Sequence, residues 1–198
     1  MDDPALAIPE GPRRHVISVV GQAGVLDART EALCVDLGRR AVEAGFRVVT
    51  GGLDGVMEAV SRGARAAENR REGDVVGVLP GYDRRAANAH VDVVVPTGMQ
   101  IGRNIVVVAM ADVVVAVGGG SGTLSEIAVA WQLGKPIIAL SPTGGWAARL
   151  TGETIDARRS DTILGATTAE EAIALARALV TVGSPAPGDA ASSWKQRT

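Results

Sequence analysis

Four apolar runs, at residues 16–20, 46–50, 75–79 and 113–117, are dominated by β-branched residues, and each runs straight into a glycine-bearing turn. A strand with no polar alternation has to be covered on both faces, which is the condition of a parallel sheet between two helical layers. Further runs at 91–95, 137–140 and 161–164 extend the pattern. Helical spacing appears between them at 28–44, 53–67, 101–110, 121–133 and 168–182, where Leu33, Leu37 and Ala41, or Val56, Val60 and Ala64, fall on one stripe. The alternation predicts an α/β fold, a Rossmann-like doubly wound, mainly parallel sheet with helices on both faces. Its 198 residues fit one such domain, expected over 15–183. Residues 1–14 and the proline- and glycine-bearing stretch 184–198 are expected to be flexible ends.

In sheets of this kind the ligand lies beyond the carboxyl ends of the strands, at the point where strand order reverses. That selects the turns Gly21-Gln22-Ala23-Gly24, Gly51-Gly52, Pro80-Gly81 and Gly118-Gly119-Gly120-Ser121-Gly122-Thr123. Glycines between a strand and a helix let backbone N–H groups converge on open space, and the helix N-terminus adds positive potential, so a phosphate fits the last of these turns. Ser121 and Thr123 add hydroxyl donors. The competing explanation is that the glycines only allow close packing of helix on strand. The turn lacks the Gly-Lys-Ser/Thr ending of a Walker loop, and Gly21 and Gly24 do not complete a dinucleotide fingerprint.

Several chemistries find little support. Twenty basic and 22 acidic residues leave no electrostatic footprint for a nucleic-acid polymer. The first residues do not read as a signal peptide, and no apolar stretch is long enough to span a bilayer, so a cytoplasmic protein is expected. The single cysteine, Cys34, sits among Leu33, Val35 and Leu37 and reads as a buried structural thiol. His15 and His90 are too far apart for a metal pair; magnesium carried by a ligand phosphate is compatible with the residues present, but no metal ligands are assigned.

Two ionisable residues stand out. Arg103 interrupts an apolar helical segment, and a half-buried arginine needs an anionic partner, either Glu126, a ligand phosphate, or both. Glu126, three residues after Thr123, either caps its own helix from the first turn or leans toward the glycine turn to position water or stabilise positive charge. Tyr82 is the aromatic residue best placed to stack on a base, and Arg84-Arg85 the arginine pair best placed to reach a phosphate. Trp131 reads as core or subunit interface.

Met99 to Asn104, then Ala111-Asp112, then Gly119 through Glu126, resemble the Lonely guy, or lysine decarboxylase-like, superfamily of nucleoside 5'-monophosphate phosphoribohydrolases, whose signature is Pro-Gly-Gly-x-Gly-Thr-x-x-Glu preceded by an arginine motif. The resemblance spans about 16–140. Gly119, Gly120, Gly122, Thr123 and Glu126 match the signature, Arg103 matches the upstream arginine, and Gly51, Gly52, Gly55 and Met57 resemble the second glycine turn. It implies hydrolysis of an N-glycosidic bond to free base and ribose 5-phosphate, with Arg103 and Glu126 catalytic and no cofactor required. Gly118 stands where the signature has proline, and the arginine motif has neither histidine nor lysine and one residue more between Met99 and Arg103. Those departures resemble the branch of the molybdenum cofactor carrier proteins, which implies the alternative of a non-catalytic carrier for a phosphorylated cofactor, or a nucleotide sensor. A homodimer or higher homo-oligomer is expected from the same likeness. Pyridoxal chemistry is not expected, because the only lysines are Lys135, at the far end of the sheet from the turns, and Lys195 in the tail.

Overall fold

The computed structural model describes residues 13–181. The expected flexible ends fall almost wholly outside them, as do Trp194 and Lys195. Seven strands form one sheet: β1 (Val16–Gly21), β2 (Arg47–Thr50), β3 (Val75–Leu79), β4 (Val93–Pro96), β5 (Val113–Val117), β6 (Ile137–Leu140) and β7 (Leu164–Ala166). Their order is β4-β3-β2-β1-β5-β6-β7, and all six pairings are parallel. The chain therefore builds outward from β1 to one edge and returns to the other side of β1 through β5. Gly21 pairs in register with Val117, so the turns after β1 and β5 meet at the switch point.

Helices cover both faces. α1 (Ala28–Glu43), α2 (Val56–Arg65) and α6 (Ala169–Thr181) pack on one, burying Cys34, Leu37, Val60 and Ala172 against Ile17, Val48, Val115 and Leu140. α3 (Arg103–Ala109), α4 (Ser121–Gln132) and α5 (Gly145–Leu150) cover the other, where Val107, Ile127, Trp131 and Ala147 meet Val20, Val114 and Ala139. Neighbouring strand residues face opposite layers, as Val113 and Val114 do, which is why a run such as β5 is apolar throughout. α1 starts where Asp27 accepts hydrogen bonds from the amides of Arg29 and Thr30. Cys34 is fully buried among these helices, and burial pushes its thiol up to about 12.

The main differences from the sequence reading lie at short elements. The helix expected at 101–110 begins at Arg103, after a 3-10 turn over Gln100–Gly102. The last strand is Leu164–Ala166 and not 161–164, because the Ile163 carbonyl and amide are bonded to Gly152 and Glu153, at 2.8 and 3.0 Å, and pairing with β6 starts at Leu164. α5 was not expected at all.

Candidate functional site

A cavity of about 340 Å³ opens at the carboxyl ends of β1 and β5. Of the expected ligand residues, Gly21, Gly51, Arg103, Gly120, Ser121, Gly122, Thr123 and Glu126 line it, together with Met57 and Asn104. Gly24, Gly52, Gly118 and Gly119 do not line it. Gly24 donates its amide to Asp54 Oδ1 at 3.2 Å, and Gly52 accepts at its carbonyl from the Asn88 amide at 2.9 Å. Gly118 and Gly119 have φ of 56° and 90°, and their carbonyls point away from the cavity into amides of α5.

The glycines of the site fall into two kinds. At Gly51 the place of a side chain is filled by the Arg103 guanidinium, and at Gly119 by the Thr123 side chain. At Gly21 a Cβ would stand 2.8 Å from the Val117 carbonyl oxygen. For these positions close packing suffices as a reason. Gly120 and Gly122 differ, since a Cβ on either would meet nothing within 4 Å and neither has a left-handed φ. Both are exposed and lie beside the first amides of α4. The α4 N-cap, Gly120, supplies no side-chain acceptor, so those amides are not capped from within the helix.

The floor of the cavity is ionic. Arg103, the first residue of α3, and Glu126 on α4 are both buried, and Arg103 Nη1 lies 3.5 Å from Glu126 Oε1. Arg103 Nη1 also donates to Asn104 Oδ1 at 3.0 Å, while Nη2 faces Met57 Sδ at 4.0 Å. Burial pushes the Glu126 carboxyl up to about 7, with Arg103 opposing the shift. Burial likewise pulls the Arg103 guanidinium down, with Glu126 opposing. Asn104 Nδ2 donates to Ser125 Oγ at 3.4 Å, and that hydroxyl donates to the Gly122 carbonyl at 2.7 Å, which ties α3 to the first turn of α4. Glu126 is the sixth residue of α4, whose first turn holds no acid. The capping explanation therefore fails on geometry; Thr123 occupies the third helical position that a capping acid would need.

The remaining candidates lie elsewhere. Tyr82 is 80% exposed and its ring lies over Gly98, outside the cavity lining. Arg85 pairs with Asp83 at 3.0 Å in an exposed 3-10 turn. The loop carrying both packs on the second glycine turn through Asn88, whose Nδ2 donates to the Leu53 carbonyl at 2.9 Å. It borders a second cavity of about 380 Å³, which shares Leu53 with the first. Trp131 is core, its Nε1 bonded to Asp156 and its ring under Arg159. Among the described residues no group of three His, Cys, Asp or Glu is placed to hold a metal ion, and no helix is long and apolar enough to cross a membrane. Asn104 and the α5 segment were not singled out from sequence; the pair Gly144-Gly145, separated from β6 by Ser141-Pro142-Thr143, was the available signal for the latter.

Residues 14–173 match the family model described as the SLOG cluster4 family. Among solved structures, the structural-genomics target TM1055 is 40% identical, with a TM-score of 0.75 over 83% of this chain and 99% of that one. The molybdenum cofactor binding protein from the phototrophic bacterium Rippkaea orientalis is 29% identical, with a TM-score of 0.74 over 86% of this chain and 99% of its own. The molybdenum cofactor carrier protein from Chlamydomonas reinhardtii is 26% identical, with a TM-score of 0.71 over 85% and 99%.

Proposed function

Because this chain belongs to the SLOG cluster4 family, within the Lonely guy-like superfamily, we propose that it binds a phosphorylated small molecule at the β1/β5 crevice and carries it intact, the cargo being a phosphorylated pterin of the molybdenum cofactor kind. The observation that carries this reading is the pair Gly120 and Gly122, exposed glycines whose side-chain places are open and whose φ is not left-handed, standing before uncapped amides at the edge of the cavity. A phosphate there receives backbone N–H bonds and the positive end of α4, with the Ser121 hydroxyl alongside. Arg103 beneath adds a desolvated positive charge, partly neutralised by Glu126, so the site attracts an anion without a lysine. The likeness to two proteins named for the molybdenum cofactor moves the carrier reading ahead of the hydrolase that the signature residues imply.

The place of Glu126, a buried carboxyl that lines the cavity beside Arg103, keeps the hydrolase as a second reading. A buried carboxyl with a pKa of about 7 is divided between its two protonation states at neutral pH, which suits proton exchange with water or a departing base. In that reaction water adds to the anomeric carbon, the C–N bond breaks, and the base leaves carrying a proton. Purified protein is incubated with a panel of nucleoside 5'-monophosphates and, separately, with the oxidised fluorescent pterin derivative of the molybdenum cofactor. Intact nucleotides with saturable pterin retention are the expected result. Release of free base, abolished in both Arg103→Ala and Glu126→Gln, overturns the carrier reading in favour of the hydrolase.

A further inference from the structure

Whether a glycine turn attracts or repels an anion depends on which backbone groups face the ligand: N–H groups attract, carbonyl oxygens repel. In the turn after β5 the two carbonyls that lead into the cavity rim are held back by a single neighbouring segment. The Ala147 amide donates to the Gly118 carbonyl at 3.0 Å, and the Trp146 amide donates to the Gly119 carbonyl at 3.1 Å. Thr143 Oγ1 accepts from the Gly118 amide at 2.7 Å and donates to the Leu140 carbonyl at 2.6 Å, so its hydroxyl joins the end of β6 to the start of the turn. Gly145 lies flat against the back of the turn, where a Cβ would come within 2.6 Å of the Gly118 carbonyl carbon and the Gly119 oxygen. None of these four residues lines the cavity.

We propose that Thr143 is a positioning residue for phosphate binding: it fixes the Val117–Gly118 peptide where the turn leaves β5, so that the Gly118 and Gly119 carbonyls stay seated on the first amides of α5 and only N–H groups of the following residues face the ligand. The inference rests on the reading of residues 120–123 as the anion site. Gly118 and Gly119 both have left-handed φ, a conformation glycine leaves as easily as it enters, so the turn needs outside bonds to keep one orientation. Thr143 supplies both an acceptor and a donor at the hinge, which an apolar side chain of the same shape cannot.

The test compares wild type, Thr143→Val and Thr143→Ser with the fluorescent pterin derivative before and after phosphatase treatment, and with adenosine 5'-monophosphate against adenosine. The valine variant keeps the volume and leaves the Gly118 amide unpaired; it is expected to bind the phosphorylated probe about tenfold more weakly. The dephosphorylated partner should bind with unchanged affinity, and serine should restore wild-type behaviour to within about twofold. Equal affinity of wild type and Thr143→Val for the phosphorylated probe, equal losses for both forms of the probe, or no rescue by serine overturns this inference alone. A wild-type protein that does not distinguish either phosphorylated probe from its dephosphorylated partner overturns the anion-site reading, and this inference with it.

Discussion

Gly51 and Arg103 occupy one volume: a Cβ on Gly51 would stand 2.6 Å from both Cζ and Nη1 of the guanidinium. The turn after β2 thus serves as the wall against which the arginine of α3 is pressed toward Glu126. The obstructed group is the far end of a long side chain, so Gly51→Ala leaves the fold intact and displaces the guanidinium from its partner. The expected cost is about 1–2 kcal/mol, seen as a fall in Tm of roughly 2–8 °C, with weaker binding of the phosphorylated probe. In an Arg103→Ala background the same change should cost almost nothing, since the added methyl then enters vacated space. Equal costs in the two backgrounds, read from denaturation curves, contradict the shared-volume argument.

The Glu126 carboxyl makes a pH-dependent contribution whose sign is opposite to that of the surface acids. Its pKa is raised in the folded protein, from 4.5 to about 7, so the folded state holds the proton more tightly than the unfolded chain. Stability from this group is complete below pH 4.5, is lost as pH rises toward 7, and is level above that, a change on the order of 3 kcal/mol. Asp27 and Asp161 have pKa values lowered from 3.8 by hydrogen bonds from Thr30 and Arg159, and Asp36 is lowered too, burial raising it but hydrogen bonds and charge from Arg40 and Arg39 together outweighing that; all three lose their contribution only below the window in question. Unfolding free energy measured from pH 5 to 7.5 should therefore decline in the wild type, and that decline should be missing in Glu126→Gln. A Glu126→Gln curve parallel to wild type would mean that the carboxyl is ionised throughout.

The strands with long β-branched runs were legible because burial on both faces leaves no polar position to confuse the period: β3 and β5 begin and end where the apolar runs do. The meeting of Arg103 with Glu126, 23 residues apart, was also legible as one of the options, since each is an ionisable group in a segment that the sheet must bury. The position of Glu126 was misread by a turn, because its distance from Thr123 resembles a capping box while the helix already begins at Ser121. α5 was missed for a different reason. Six residues cannot display a 3.6-residue period, and the amides at its start are satisfied by Gly118 and Gly119, which lie far back in the chain. The filling of the Gly51 and Gly119 side-chain spaces by Arg103 and Thr123 is tertiary, and no local pattern announces it.

Two glycines outside the site carry a sharper stability prediction. α1 and α2 cross with their backbones in contact: a Cβ on Gly38 would overlap the Val60 carbonyl oxygen and lie 2.8 Å from the Ala64 nitrogen, and one on Gly63 would overlap the Val35 carbonyl oxygen and lie 2.7 Å from the Val35 carbonyl carbon. Both positions lie within their helices with ordinary φ, where alanine alone would favour the helix by about 1 kcal/mol. Here the obstructing atoms are main chain and cannot rotate aside, so the helices must separate. Gly38→Ala and Gly63→Ala are each expected to destabilise by about 3 kcal/mol despite the propensity gain. Urea unfolding midpoints measure this directly, and an unchanged or raised midpoint in either variant would show that the helices do not meet this closely. Once one alanine has parted α1 from α2, the second meets an already widened crossing, so the double variant should lose clearly less than the sum of the two single losses.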